Sequence, residues 1–225
     1  MGRELPPSSA FADDDGGADP QLAAALALDG DEQLAAVVEA LMGARVLVPV
    51  VTRREESEAG RQASAALVSV AAPDGRSALP AFSSMTTMKR WRPDARPVPV
   101  AGPRAALAGA EETDGLLVLD AAGPQTVLVP RPAVWALAQG LKWAPPERDE
   151  HLGAVVRHAL RQVAHIQHVD LAAGPGNATR VVLRITSGLD RETVSTLTAA
   201  AGRALAAEPL VAERIDALHF QVRSC

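Results

Sequence analysis

The stretch GRSALPAFSSMTTMKRWRPDARPVPV, residues 75–100, carries the strongest structural signals in this sequence. Its segment SALPAF is short and apolar, as strands are, and it follows the turn signal PDGR. A helix is predicted around residues 84–91, and PVPV predicts another short strand. A strand, a helix and a strand in succession indicate a mixed α/β fold.

The flanking segments continue this alternation. RVLVPVV, residues 45–51, is a β-branched apolar run in which Pro49 cannot donate to a ladder, so we expect an edge strand or a bulge. SAALVSVAA and SALPAF predict a hairpin closed by PDGR. GLLVLD predicts a buried strand that ends at Asp120.

Composition divides the chain into four segments. Residues 1–18 are acidic and rich in Pro, Gly and Ser, which predicts a disordered tail that is dispensable for folding. Residues 19–143 predict a mixed-sheet α/β domain with leading helices. Residues 144–150, which contain a proline pair and a charge run, predict a linker. Residues 151–225 predict a smaller αββαβ domain that resembles half of a ferredoxin-like sandwich.

The charge distribution argues against several classes of function. Residues 1–30 carry one base and six acids, whereas the rest of the chain carries 21 bases and 21 acids. A neutral body with 3% aromatic residues lacks the basic face of a nucleic-acid-binding protein. The apolar runs are shorter than the roughly 18 residues of a membrane helix, and no basic secretory signal precedes them. We therefore expect a cytoplasmic protein without nucleic-acid or membrane partners.

Two adjacent serines, Ser83 and Ser84, have three interpretations. A nucleophile elbow requires glycines around the serine, but Phe82 and Met85 flank this pair. A helix N-cap, which accepts a hydrogen bond from an unpaired backbone N–H, is the favoured interpretation. An anionic small ligand at the same helix start is the functional alternative. A hydrolase using either serine with Asp120 and a distant histidine is the enzymatic alternative.

A basic segment surrounds Trp91. It comprises Lys89, Arg90, Arg92, Arg96 and Arg104, with Asp94 as the one acid among them. The structural interpretation is a solvated rim around a buried tryptophan, and the functional one is a binding patch for an anion or a partner. The acidic residues 13–15 of the tail are the simplest intramolecular partner for such a patch. The spacing of Met85, Met88 and Trp91 predicts that these side chains share one helix face.

Other chemistry-bearing residues give weaker signals. Asp120 ends a predicted buried strand, where α/β folds often place functional groups, but the following AAGP favours an Asx-type turn. His151, His158 and His165 are spaced by seven residues, whereas metal sites favour tighter spacing, so no metal or cofactor is expected. The single cysteine, Cys225, excludes an intramolecular disulfide.

Four blocks in fixed order resemble the SseB family in the two-domain form common in actinobacteria. They are ARVLVPVV, the stretch at residues 75–100, LLVLDAAGP and LAQGLKWAP. The resemblance covers residues 31–143 as the N-terminal domain, and residues 147–222 are similar to the accompanying C-terminal domain. It implies an α/β fold but no settled activity and no catalytic residues.

These observations together predict a non-enzymatic protein-interaction or regulatory protein. Its candidate binding residues are Ser83, Ser84, Arg90, Trp91, Arg92, Arg96 and Asp120. The expected partner is an unidentified protein or a second copy of the chain.

Overall fold

The structure, a computed structural model, describes residues 11, 14–55, 62–72, 74–123 and 125–224, with the backbone alone for 52–55 and 62–67. The chain divides into two compact units. One comprises Met1–Val129 with Val134–Leu141, and the other comprises Pro130–Ala133 with Lys142–Cys225. No helix in the described ranges combines the length and the apolar character that a membrane span requires.

The elements of the first unit alternate as the sequence predicts, which confirms the mixed α/β class. In chain order they are α1 (Pro20–Leu26), α2 (Gln33–Leu41), β1 (Arg45–Glu55), β2 (Gln62–Leu67), β3 (Val70–Ala71), β4 (Ser77–Ala81), α3 (Met85–Trp91), β5 (Arg96–Ala101), α4 (Gly102–Glu112), β6 (Leu116–Leu119), β7 (Val127–Val129) and α5 (Arg131–Ala138).

Two sheets form this unit. One has the antiparallel order β2-β1-β5, and the other has the order β3-β4-β6-β7, in which β4 and β6 are parallel. Leu47 on β1 and Phe82, just after β4, exchange backbone hydrogen bonds of 2.8 and 2.9 Å and so join the two sheets. The predicted hairpin is confirmed between β3 and β4, but residues 64–67 of the same apolar run pair with β1 instead.

The prolines lie where no ladder bond is needed. Because Leu47 directs its N–H and C=O toward Phe82, its opposite residue on β5, Pro99, directs its own groups away from β1. The same holds for Pro97, opposite Pro49. The prediction of an edge position or a bulge for β1 is therefore wrong. Pro49 lies in a central strand, between the bridge at Leu47 and the start of β2 pairing at Val50.

Helices cover both faces of the joined sheets. Met88 on α3 packs with Leu47 and Phe82 on one face. On the other face, Gly109 of α4 lies near Leu79, whose side chain alternates with the Phe82 side. Phe82, the residue that follows β4, therefore lies on the α3 face.

The second unit contains α6 (Glu150–Leu160), β8 (Ile166–Ala173), β9 (Thr179–Ile185), α7 (Arg191–Ala206), α8 (Pro209–Arg214) and β10 (Leu218–Ser224). Its sheet has the order β10-β9-β8, with β8 antiparallel and β10 parallel to β9. The arrangement is the predicted αββαβ with an additional helix, α8. Apolar residues of all three helices and one sheet face form a single core.

Candidate functional site

The parallel strands β4 and β6 end at the same edge of their sheet, where open α/β folds commonly bind ligands. Ser83 follows β4, and Asp120 follows β6. The parallel register brings together these two residues, 37 positions apart in the chain. This edge is the candidate functional site.

Ser83 and Asp120 form a paired hydrogen bond inside the protein. The Ser83 backbone N–H donates to Asp120 Oδ1 at 2.8 Å, and its hydroxyl donates to Oδ2 at 2.6 Å. Ser83 is 3% exposed and Asp120 is 5% exposed. Both carboxylate oxygens thus satisfy donors of one buried residue, and the contact fastens the turn after β4 to the turn after β6.

The turn at Asp120 differs from the predicted Asx-type turn. Its carboxylate bonds Ser83, while its backbone carbonyl accepts hydrogen bonds from the Gly123 N–H and the Thr126 hydroxyl, both at 2.9 Å. Asp120 has φ 51°, a left-handed value that Asp tolerates better than most residues. A Cβ at Gly123 would lie 2.9 Å from the Asp120 carbonyl oxygen, so glycine suits this turn. The favoured Asx-type prediction is wrong because the carboxylate has a tertiary partner.

Ser84 is the N-cap of α3, which confirms the capping interpretation for that serine. Its Oγ accepts a hydrogen bond from the Thr87 N–H at 3.2 Å, and the Thr87 hydroxyl accepts one from the Ser84 N–H at 3.3 Å. The Met85 N–H donates to the Gly16 carbonyl at 2.8 Å. These groups occupy donors that an anion at the helix start would need, and the helix has seven residues. The structure therefore gives no support to an anion held by the start of this helix.

A cavity of about 250 Å³ opens beside this turn. Its polar lining comes from Ser83, Ser84, Thr87, Arg90, Asp120 and Gln125, and its apolar lining comes from Ala18, Ala23 and Leu26. Sequence reasoning named four of the polar residues and missed Thr87 and Gln125. Thr87 lies three residues after Ser84, at the position that completes a capping box, and this spacing was the readable signal, although Glu or Gln is the usual residue there.

Trp91 ends α3 and is partly buried. Its ring lies 5.2 Å from that of Phe82, at 37° between planes, and Phe82 is fully buried. The Arg92 guanidinium carbon lies 5.0 Å from the Trp91 ring centroid. This is cation–π geometry, in which the ring attracts the cation. Met85, Met88 and Trp91 pack on one cluster, as the spacing predicted.

The five bases of the basic segment do not form one patch. Lys89, Arg90 and Arg92 lie on or just after α3. Arg96 on β5 pairs with Val50 on β1, so its side chain points to the opposite face from Leu47. Arg104 belongs to α4, which lies on that opposite face. The predicted single surface is therefore wrong, because the sheet separates three cations from the other two.

The acidic tail also has a different partner from the expected one. Asp14 forms an ion pair with Arg45, and the Arg45 guanidinium also donates to the Gly17 carbonyl at 2.7 Å. Asp15 accepts the Gly17 N–H. Residues 14–18 thus have defined contacts, which corrects the expected disordered tail there, while residues 1–10, 12 and 13 lie outside the described residues. The contact with the basic segment is not observed for Asp14 or Asp15.

The histidines do not complete a catalytic or metal site in the described residues. His151 and His158 lie exposed on α6, and His168 Nε2 lies 2.9 Å from Asp170 Oδ1. No histidine lines the cavity beside Ser83, as described above. No group of three or more His, Cys, Asp or Glu positioned to hold a metal occurs among the residues whose placement the structure describes.

Comparison with known proteins supports one relationship. The family model described as SseB protein N-terminal domain matches residues 19–136, more than half of the chain. No curated protein and no solved structure gives a significant match. The similarity of residues 147–222 to the accompanying C-terminal domain lies beyond the matched segment and stays a prediction. The order of elements, the sequence blocks and this match agree, and the chain belongs to the SseB family.

Proposed function

We propose that this protein is a non-enzymatic, cytoplasmic interaction or regulatory protein that binds a protein partner through α3. The α3 surface consists of Lys89, Arg90, Trp91 and Arg92. One observation carries the proposal: Arg92 is stacked on Trp91, which packs in turn on buried Phe82. A rigid aromatic with a cation fixed over it is the kind of anchor that dominates protein interfaces.

The charges on this surface support an acidic partner. None of Lys89, Arg90 and Arg92 forms an ion pair with any described residue. Lys89 and Arg90 are exposed, so a partner can reach them without refolding the helix. Uncompensated cations at a rim accelerate association with a complementary partner and add salt dependence.

Recovery of partners from cell lysate tests this proposal with matched variants. We expect wild type to retain specific proteins that Lys89→Glu with Arg92→Glu loses. Arg96→Glu with Arg104→Glu is the control, because it changes the net charge equally on the opposite face of the sheet. If wild type and both variants retain the same proteins equally, the α3 surface does not bind the partner.

A small anionic ligand in the cavity is a second candidate function, favoured by one observation. Arg90 lines the cavity together with the hydroxyl-bearing Ser84 and Thr87 and the amide-bearing Gln125. A guanidinium with hydroxyl and amide neighbours suits a carboxylate or phosphate group. This candidate relies on the Arg90 side chain and not on the helix start, where backbone donors are occupied.

Thermal unfolding with phosphate and with citrate separates the two candidates. A ligand that binds only the folded state raises the midpoint with concentration. We expect a rise for wild type that Arg90→Gln abolishes and Arg104→Gln keeps if the cavity binds anions. No rise at high concentration of either probe leaves the partner-binding proposal as the sole candidate.

The hydrolase alternative receives no support at the serines. The Ser83 hydroxyl donates directly to a carboxylate and is nearly inaccessible, and the Ser84 hydroxyl caps a helix. Activation of a serine requires a base that accepts its proton and is itself oriented by a third group. We therefore do not propose a hydrolytic reaction.

A further inference from the structure

The second unit has a sheet face that its helices do not cover. Side chains alternate along each strand, and those of Val169, Val181 and Leu183 pack into the helical core. The alternate positions form the opposite face, here called the open sheet face. Its residues are His168, Asp170 and Ala172 on β8, Arg180, Val182 and Arg184 on β9, and His219, Gln221 and Arg223 on β10.

Register places two cations directly beside each other on this face. Arg184 is the neighbour of Arg223, and Arg180, four residues before Arg184 on β9, lies beside His219. Neighbouring strands lie about 4.8 Å apart, so like charges opposite each other repel and destabilise the sheet. An anion that lies over the two strands would reduce the repulsion between these neighbouring cations.

The protein itself neutralises this charge only at one side. Asp170 contacts His168 at 2.9 Å and Arg184 at 3.6 Å. Arg223 donates only to Gln221, at 3.4 Å, and no described residue forms an ion pair with Arg180 or His219. The uncompensated charge therefore lies over β9 and β10, away from Asp170.

Acidic residues lie along the other edge of the sheet. Glu147, Asp149, Glu150 and Asp170 border a polar cavity of about 610 Å³, together with Arg148 and Arg157. Because its four acids outnumber its two bases, an anionic ligand is less favoured at this edge than on the β9–β10 half of the face. Residues 142–225 are nearly neutral, with ten bases and nine acids, so the asymmetry is local.

We propose that the open sheet face binds an acidic polypeptide segment of a partner protein, with Arg180, Arg184 and Arg223 as the cationic contacts. The chemistry favours a polypeptide over a nucleic acid. The aromatic side chain of β10, Phe220, packs into the helical core, so the face carries the imidazoles of His168 and His219 but no Phe, Tyr or Trp ring on which a base can stack. Carboxylates pair with guanidinium groups without stacking.

The spacing of the cations defines the segment further. Arg180 and Arg184 lie on one strand four residues apart, which is about 13 Å at the usual rise per residue. An extended segment with carboxylates at positions i and i+4 matches that distance. This surface and the α3 surface lie in different units and carry separate residues, so either proposal can fail without the other.

Fluorescence anisotropy with a labelled oligoglutamate peptide of about ten residues tests the proposal on the full chain. We expect Arg184→Glu with Arg223→Glu to weaken binding at least about tenfold, with stronger binding at low salt. Arg161→Glu with Arg191→Glu is the matched control, because both residues are exposed on the helical layer and the net charge changes equally. This control is expected to bind as wild type does.

Three outcomes overturn the proposal. Equal affinity of the sheet variant and the control shows that the face does not contact the peptide. Binding of a single-stranded RNA of similar length more tightly than the peptide assigns the face to nucleic acid. Loss of peptide binding in Lys89→Glu with Arg92→Glu, but not in the sheet variant, assigns the acidic ligand to the α3 surface. The thermal midpoint of the sheet variant is expected to lie near that of wild type, because one exposed like-charge pair replaces another and the exposed contact of Arg184 with Asp170 contributes little.

Discussion

Ser83 and Ser84 are neighbours in the chain but perform different structural tasks. Ser84 caps the helix that begins one residue later, and its partner Thr87 is three residues away. Ser83 bonds Asp120, which lies 37 residues away on a different strand end. The first contact follows from local sequence alone, whereas the second exists only after β4 and β6 pair. Two adjacent hydroxyl groups can therefore differ in how far their contacts can be predicted from sequence, and we expect them to differ in how much they stabilise the fold.

The largest effect is expected from removing the long-range partner. Asp120→Ala leaves the buried N–H and hydroxyl of Ser83 without acceptors and puts alanine at a positive φ. We expect the free energy of unfolding to fall by about 3 kcal/mol. Chemical denaturation measures it, with Asp120→Asn as the milder control, since Asn keeps an acceptor and tolerates this backbone conformation. A loss below about 1 kcal/mol would show that the contact between Ser83 and Asp120 contributes little to holding the two turns together.

Replacing Ser83 separates the hydroxyl from the backbone part of the same contact. Ser83→Ala removes the bond to Asp120 Oδ2 but keeps the backbone bond to Oδ1. We expect a loss of about 2 kcal/mol, smaller than for Asp120→Ala. A double-mutant cycle with Asp120→Ala is expected to show strong coupling, and additive losses in that cycle would show that the two side chains act independently.

The N-terminal segment also contacts the turn that contains Ser83 and Ser84, so its removal adds a third contact to the comparison of the two serines. Removing residues 1–18 deletes the Asp14 pair with Arg45 and the Gly16 carbonyl that accepts the Met85 N–H. We expect a loss of about 1 to 2 kcal/mol. Sequence alone predicted no effect on the thermal midpoint. An unchanged midpoint would restore that prediction, and removal of residues 1–10 serves as the control.

The local contact is expected to contribute less. Ser84→Ala removes the cap of α3 and lowers the free energy of unfolding by about 1 kcal/mol, within the usual range for N-caps. Ser84→Asp keeps a capping oxygen and is expected to retain most of the stability. If Ser84→Ala destabilises more than Ser83→Ala does, the ranking of local and long-range contacts is reversed.

The smallest effect on stability is expected at Asp190, the exposed N-cap of α7 in the second unit, and this effect should depend on pH. Hydrogen bonds from the side chain and backbone of Thr193 hold the pKa of Asp190 below its usual range. A lowered folded-state pKa stabilises the protein above the unfolded pKa, and that stability is lost as pH falls through the folded value. The difference between wild type and Asp190→Asn should therefore shrink below about pH 4. A difference independent of pH contradicts this assignment.

Local patterns in the sequence predicted many of the elements. The hairpin at PDGR, the helix after Ser84 and the cap at Asp190 were all readable, because each depends on residues within a few positions. The structural contact of Asp120 with Ser83 was not readable, since it depends on the parallel register of β4 and β6, and the sequence had grouped the serines with Asp120 only in the hydrolase alternative. The separation of Arg96 and Arg104 from Arg92 was missed for the same reason. Only the sheet register assigns these residues to opposite faces.

The central claim is that Ser84 has a structural role and that the α3 surface binds the partner. It is tested most directly by comparing partner affinity and thermal midpoint in two variants. Ser84→Ala is expected to lower the midpoint and leave partner affinity unchanged, because that serine supports α3 without contacting the partner. Lys89→Glu with Arg92→Glu is expected to keep the midpoint and weaken the affinity about tenfold or more, in a salt-dependent manner. The opposite pattern, in which Ser84→Ala keeps full stability and loses partner binding, would contradict this claim. The turn after β4 would then be the leading candidate for a catalytic or ligand-binding site.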